Sequence, residues 1–357
     1  MAGKSCKGEK TYGGFSDRNR LKITIMIKSI VLKKRPEGQP IVSDFEFKSE
    51  DLELELKEGE LLLETSYVSV DPYLRGRMSD AKSYIPPFEL NQPIQSGVIA
   101  KVIDSKNDDF KEGDYVSGML DWKTKQVSNG EGLLKVDGNI APLSAYLGIL
   151  GMTGLTAYCG LMQIGKPKSG ETLVVSGAAG AVGSVVGQIG KILGLRVIGI
   201  AGSDEKVELL KSKFGFDEGI NYKTTKNMAA AIKEAAPKGV DIYFDNVGGP
   251  ISDAVLFNIN RFARLVICGA ISVYNNTELP TGLSVQPFLV KNSALMQGFI
   301  VSNYAEIFPE AISELSKWLK EDKLTYSETI VEGFDNIPYA FIDLFVGKNK
   351  GKMVVKI

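Results

Sequence analysis

The sequence predicts an α/β protein in which a doubly wound parallel sheet is inserted in a β-barrel domain. Three observations predict it. The chain has 357 residues, too many for one ordinary core and enough for two domains. Its first part, about 23–136, is strand-rich and lacks long helical periodicity, as a barrel would. From about residue 172, short apolar strands alternate with helical segments, the pattern of a parallel sheet covered on both faces.

Composition narrows the function. Hydrophobic residues make up 44% and charged residues 24%, and the net charge is −1. That profile is globular, without the basic excess of a nucleic-acid or anionic-membrane binder. Lys33-Lys34-Arg35 is too short a cluster to change this. No apolar run reaches membrane-spanning length. The three cysteines, Cys6, Cys159 and Cys268, are scattered and form no CxxC pair, so a reducing, cytoplasmic setting is expected. There is no histidine. Histidine-based triads and histidine-ligated metals are excluded, and three scattered cysteines cannot close a four-sulfur zinc site. Acid–base chemistry is left to Tyr, Lys, Asp, Glu, water or a cofactor.

Residues 1–22 are polar and glycine-containing and read as a disordered extension. Strands are expected at 23–27, 61–70, 94–102 and from 115. Segment 145–161 carries apolar residues at helical spacing, interrupted by glycines, and suggests two helices crossing between domains. Strands at 172–176, 196–200, 219–221, 240–244, 264–268 and 295–300 then alternate with helices at 182–193, 204–214, 225–236 and 251–258. A helix at 306–319, strands at 325–332 and 352–357, and a helix at 337–345 close the chain. The expected domains are 23–145 with 322–357 for the barrel and 146–321 for the insertion.

The strongest local motif is Val174-Val175-Ser176-Gly177-Ala178-Ala179-Gly180-Ala181-Val182-Gly183. It follows a buried strand and opens a helix. Gly177, Gly180 and Gly183 let backbone N–H groups approach a pyrophosphate, with the positive end of the helix dipole behind them. The second strand ends at Ile200-Ala201-Gly202-Ser203, a small neutral tip, and Lys206 follows within a turn. Such a tip with a nearby cation suits a ribose 2′-phosphate. Asp204 or Glu205 would instead serve a 2′-hydroxyl, so the residues alone leave NAD and NADP open. Phe244-Asp245-Asn246-Val247-Gly248-Gly249 and Cys268-Gly269-Ala270 lie at the same carboxyl edge, where ligands bind in such folds.

Longer blocks carry a resemblance. They are 69–78 (SVDPYLRGRM), 151–158 (GMTGLTAY), 178–188 (AAGAVGSVVGQ), 202–206 (GSDEK), 221–223 (NYK), 244–249 (FDNVGG), 268–275 (CGAISVYN) and 349–352 (NKGK). From about Ile27 to the C-terminus the chain resembles the medium-chain dehydrogenase/reductases. Within them it is most similar to the zinc-free branch of prostaglandin, 2-alkenal and curcumin-type reductases. Only Gly177 departs, where that family often has alanine. The resemblance implies a Rossmann domain in a GroES-like barrel, usually as a homodimer, with NADPH as cofactor. It implies that Lys206 and Tyr222 contact the 2′-phosphate. Met152, Thr153 and Cys268 would lie near the nicotinamide, and Asn246 and Asn349 would contact the cofactor. The implied binding set is completed by Gly177, Ala179, Gly180, Ala181, Val182, Gly183, Gly202, Ser203, Gly269, Ala270 and Tyr274.

The chemistry implied is conjugate reduction of enals and enones. Hydride attacks the β-carbon, negative charge builds on the carbonyl oxygen, and a donor aimed there is worth about 3–4 kcal/mol. Without zinc ligands, a tyrosine or the cofactor ribose hydroxyl must serve. Tyr274, on the loop after 268–270, is the first candidate; the resemblance also places a substrate-contacting tyrosine there. Tyr67, from the barrel side, is the second, and Tyr73 reads as structural. Loops 82–93 and 276–287 contain prolines and apolar residues and suggest an apolar acceptor. A quinone reductase of the same superfamily and a non-catalytic NADPH-binding protein are the alternatives.

Overall fold

The computed structural model describes residues 23–357. The expected extension at 1–22, with Cys6, lies outside the described residues. The chain opens with an antiparallel pair, β1 (Ile23–Leu32) and β2 (Phe45–Leu54). β3 (Leu61–Ser69), the short helix α1 (Leu74–Arg77), β4 (Gln95–Ser105), β5 (Tyr115–Asp121), β6 (Lys125–Ser128) and β7 (Leu134–Val136) follow. β3, β4, β5 and β7 are neighbours in one sheet, and β6 also pairs with β3. β1 is tied across this sheet by Ile30 N–H to the Trp122 carbonyl at 3.0 Å and Thr124 N–H to the Lys28 carbonyl at 3.0 Å.

β2 was not expected from sequence. Its sequence, FEFKSEDLEL, is rich in acids, and only Phe45 is buried. A strand solvated on nearly all positions shows no apolar alternation to read. The barrel core gathers Ile30, Leu32, Phe45, Leu63, Val98 and Trp122 with Ile337 and Phe341 from the chain's end. The fully buried Trp122 indole donates to Ser96 Oγ at 2.8 Å, so its polar atom is satisfied inside the core.

The crossing segment is a 3₁₀ turn, Leu143–Leu147, followed by α2 (Met152–Cys159), which runs into a π-type turn, Gly160–Gly165. Alternation then begins with β8 (Thr172–Ser176), α3 (Gly183–Ile192), β9 (Arg196–Ala201) and α4 (Asp204–Ser212). It continues with β10 (Glu218–Asn221), α5 (Met228–Ala235), β11 (Val240–Asp245), α6 (Gly249–Leu256) and β12 (Ile259–Ile267). α7 (Gln286–Asn292), β13 (Leu295–Gly298) and α8 (Phe308–Lys320) complete this part. The six strands pair in parallel in the order β10-β9-β8-β11-β12-β13, the doubly wound Rossmann order. All five residues of β8 are buried, as a strand covered on both faces requires.

Local chemistry sets the ends. Ser203 caps α4 by accepting the Lys206 N–H at 3.2 Å, with Asp204 and Glu205 in the first turn and Lys211 in the last. Asn227 caps α5 through the Ala230 N–H, which is why that helix starts three residues later than the apolar pattern suggests. α8 buries Ala311, Leu315 and Trp318, at i, i+4 and i+7. α7 begins at the end of the loop expected at 276–287 and runs through a stretch for which no element was expected: it has seven residues and buries none of them.

The chain finally returns to the first sheet with β14 (Glu328–Glu332), α9 (Ile337–Phe345) and β15 (Lys352–Lys356). β15 pairs antiparallel with β3 and parallel with β14. It also carries a buried ion pair, Lys352 Nζ to Asp71 Oδ1 at 3.1 Å, with further bonds from Nζ to the Val70 and Met353 carbonyls. Just before β15, Gly351 N–H donates to the Ala179 carbonyl at 2.8 Å, joining the C-terminal segment to the glycine turn.

Candidate cofactor and acceptor site

The site begins where neighbouring strands β8 and β11 send their connections to opposite sides. Gly177 follows β8 directly at φ +58°, a backbone state glycine adopts without a Cβ penalty. A Cβ on Gly183 would lie 2.5 Å from the Gly177 carbonyl oxygen and 2.8 Å from Ala178 Cα. Any side chain there would force the turn open. α3 starts at Gly183, and its first N–H groups are taken up by the turn itself, Ser184 by the Gly180 carbonyl at 3.1 Å and Val185 and Val186 by the Val182 carbonyl at 3.1 and 3.0 Å, so what the helix offers the crevice is the positive end of its dipole. Gly180, Ala181 and Val182 form its lip, and Ala178 and Ala179 are buried behind it.

Asp245, at the end of β11, organises the facing wall. Its Oδ1 accepts Ser176 Oγ and Tyr243 OH, each at 2.8 Å, and the N–H groups of Val247 at 3.0 Å and Gly248 at 2.9 Å. Ser252 donates to its Oδ2. Asn246 is held against the glycine turn by its Nδ2 donating to the Ser176 carbonyl at 2.7 Å. Nothing in the sequence pattern singled out Asp245. Its role comes from five donors that only the fold assembles.

At the β9 end, Gly202 sits under Tyr222, where a Cβ would approach the phenol oxygen to 2.9 Å. The two acids that left the cofactor open are engaged elsewhere. Asp204 accepts Asn221 Nδ2 at 2.7 Å, and Glu205 pairs with Lys350. Lys206 Nζ donates to the Gly347 carbonyl at 2.8 Å. Burial, then repulsion from Lys223 and Lys350, pulls the Lys206 ammonium below the usual lysine range, with Glu205 opposing. Three lysines gathered beside a neutral strand tip suit a phosphate dianion. Asn349, whose Nδ2 donates to the Gly351 carbonyl at 2.8 Å, sits on the same returning segment.

At the other end, Met152 opens α2 half-exposed, and beside it Thr153 is buried with no partner for Oγ1. A buried hydroxyl without a partner is costly in isolation and fits a polar ligand group or water. Cys268 and Gly269 both donate backbone N–H groups to the Asp245 carbonyl, at 2.8 and 3.1 Å. Burial, then Asp245, pushes the Cys268 thiol up to about 12, so it stays neutral. The Tyr274 hydroxyl accepts the Ala270 N–H at 3.1 Å, and a Cβ on Gly269 would lie 2.9 Å from it. Its oxygen is thereby oriented while its own proton remains available to donate. Burial is the first cause raising this phenol above the usual tyrosine range.

Sequence reasoning missed Tyr84. It projects from the barrel loop, and burial, then Tyr274 and Cys268, raises its phenol. Tyr84 is thus close enough to Tyr274 for the two phenols to interact electrostatically, though its own side chain is largely exposed. Tyr67 is not brought there. It packs on the far face of β3 from Val68, against Ile99, Leu147 and Val354. Beneath the glycine turn, Thr153, Ala181, Glu328 and Lys352 line a cavity of about 10 Å³, room for one water molecule. Glu328 accepts Ser144 Oγ at 2.8 Å through one oxygen, and the other is buried without a partner. Burial raises its carboxyl, against the Ser144 hydrogen bond and Lys352.

Comparison with known proteins agrees with this geometry. Residues 28–136 match the model described as the N-terminal domain of oxidoreductase, and residues 181–317 match that described as zinc-binding dehydrogenase. Prostaglandin reductase 1 of Bos taurus is 48% identical over 92% of this chain and 98% of its own. The NADPH-dependent curcumin reductase of Escherichia coli is 43% identical over 92% and 96%. The chain belongs to the zinc-free medium-chain dehydrogenase/reductase family. Among solved structures, CurA of Vibrio vulnificus in complex with NADPH superposes with a TM-score of 0.87 at 43% identity, covering 92% of this chain and 98% of that one. The second model's description mentions zinc, but the residues of this chain do not fit that ion. It has no histidine, and among the described residues no group of three or more Cys, Asp or Glu converges. No helix among them is long and apolar enough to cross a membrane.

Proposed function

We propose that this protein uses NADPH to reduce the carbon–carbon double bond of small, largely apolar α,β-unsaturated aldehydes and ketones. The observation that carries this reading is Tyr274. Its hydroxyl is oriented by the Ala270 N–H at the sheet edge onto which the glycine turn opens. Bound NADPH supplies the hydride that reaches the acceptor's β-carbon. The glycine turn, from Gly177 and Ala179 through Gly183, holds the pyrophosphate. Gly202, Ser203, Lys206 and Tyr222 hold the 2′-phosphate. Asn246, Asn349, Met152, Thr153, Cys268, Gly269 and Ala270 line the remainder. Tyr274 donates its hydrogen bond to the carbonyl oxygen as negative charge develops there, and a proton reaching the α-carbon completes the saturated carbonyl.

The division into 23–145 with 322–357 and 146–321 puts this cleft between two domains. A cytoplasmic setting accords with the scattered cysteines. A homodimer accords with β13, an edge strand whose outer backbone groups are unpaired and whose neighbourhood exposes Phe257, Phe262, Val290 and Leu295. Light scattering would then give twice the chain mass, and a monomer would remove that part.

The test is NADPH oxidation against 2-nonenal, 3-nonen-2-one, curcumin and a simple quinone, with a chelator throughout and NADH in parallel. Enone turnover that prefers NADPH and ignores the chelator supports the reading. Turnover of the quinone alone assigns the protein to quinone reduction. NADPH binding with no turnover makes it a non-catalytic binder.

A further inference from the structure

The loop that carries Tyr274 is anchored unevenly. Its beginning is fixed to the cofactor-binding part: Ile271 and Ser272 donate N–H groups to the Asn246 and Val247 carbonyls at 3.3 and 3.1 Å, and Ser272 Oγ donates to the Val247 carbonyl at 2.6 Å. Its far end has no such support. Residues 276–284 are all exposed. Between these two stretches lies Asn275, directly after Tyr274, and its Oδ1 accepts the Arg75 Nε–H at 3.1 Å across the cleft.

Arg75 is a built anchor. It is 7% exposed, and its Nη2 donates to the Pro36 carbonyl at 3.2 Å and the Gly38 carbonyl at 3.0 Å. No ion pair reaches this guanidinium among the described residues; Asp44 acts on it only at a distance, and burial lowers its pKa. A buried cation without a carboxylate is costly, and packing alone would be served by an apolar side chain. What the guanidinium offers instead is a rigid fork whose N–H groups diverge, two to the loop after β1 and one to Asn275.

We propose that Arg75 is a positioning residue for Tyr274: through Asn275 it clamps the tyrosine loop to the barrel, so that the hydroxyl oriented by the Ala270 N–H is also held in place relative to the barrel. Its guanidinium donates to protein oxygens, those of Asn275, Pro36 and Gly38. The inference rests on the reading of Tyr274 given above, but the clamp can be measured without turnover.

The test uses the full-length protein and three variants, Asn275→Ala, Asn275→Asp and Arg75→Lys, with the Arg75→Lys/Asn275→Ala double. Losing a hydrogen bond to a charged donor should speed amide hydrogen exchange across 271–276 about tenfold in Asn275→Ala. kcat/KM for 3-nonen-2-one should fall about tenfold, with the NADPH dissociation constant and thermal midpoint unmoved. Asn275→Asp, which still accepts from Arg75, should restore both. The double variant should be no worse than the poorer single, as for partners in one contact. Unchanged exchange in Asn275→Ala, multiplicative losses in the double, or a loss of NADPH affinity would overturn the clamp. Should the wild type reduce no enone, the functional reading fails while the exchange measurement still decides the clamp. Asn275 is a half-exposed loop residue, so its variants keep the test intact if Arg75→Lys folds poorly.

Discussion

Replacing Tyr274 with phenylalanine removes one oxygen and keeps the ring. In the resting protein that oxygen accepts a single hydrogen bond, from the Ala270 N–H at 3.1 Å. Losing it costs about 1 kcal/mol of stability, because the donor sits on a half-exposed loop that water can reach. In the transition state the same hydroxyl faces the charge developing on the carbonyl oxygen, and losing such a donor costs about 3–4 kcal/mol. The expected result is therefore a kcat lowered about 10²- to 10³-fold, with little change in unfolding midpoint or NADPH affinity. Steady-state turnover of saturating 3-nonen-2-one, beside NADPH titration by fluorescence, separates the two effects. Because burial raises the phenol above the usual tyrosine range, its proton stays in place through pH 9 and the wild-type kcat should show no loss from its ionisation up to there. Tyr67→Phe, whose ring lies in the satellite cluster with Leu147, should turn over like the wild type. A Tyr274→Phe kcat within threefold of wild type at unchanged NADPH affinity would refute the donor role.

Further outcomes follow from the same structure. Lys206→Ala should weaken NADPH binding by about 10- to 150-fold, the loss of a charged hydrogen bond, and leave NADH binding unchanged; equal losses for both cofactors would contradict the 2′-phosphate assignment. Glu328 has its carboxyl pKa raised by burial, so the folded state holds its proton to higher pH than the unfolded chain does. Stability then falls as pH rises from the ordinary carboxylate range through the folded pKa. Urea unfolding should accordingly find Glu328→Gln more stable than wild type at pH 8, with the difference gone at about pH 4 or below; a less stable variant at pH 8 contradicts it. Lys352→Met leaves Asp71 buried without its cation and should cost about 3–5 kcal/mol, most of it recovered when Asp71→Asn is added. Simple additivity of those two would show that the pair does not act as a unit.

What the sequence made legible followed from local chemistry. Val174 to Gly183 announced a strand, a turn and a helix start because each step has its own residue signature, and all three stand where expected. The inner strands β8, β9 and β11 were readable because burial on both faces leaves nearly continuous apolar runs. β2 was not, since both its faces are largely solvated, one carrying Glu46, Lys48 and Glu50 and the other Asp51 and Glu53. The short α7 was missed because it buries no side chain. At the site, glycines and Lys206 were visible as motif members. Asp245, Arg75 and Asn275 stood inside quoted motifs and Tyr84 inside an expected pocket loop, but their roles were not readable, because these lie in contacts between residues up to 200 positions apart. Tyr67 was proposed from its place on the barrel side, but strand alternation turns it to the face away from the barrel core.

The most direct test of the central claim is to follow the hydride itself. NADPH dideuterated at the reactive nicotinamide carbon should be incubated with the protein and 3-nonen-2-one, and the product examined by NMR. The account predicts nonan-2-one with one deuterium on the former β-carbon. Deuterium on the carbonyl carbon of an allylic alcohol, or oxidised cofactor with unlabelled enone recovered, would contradict it.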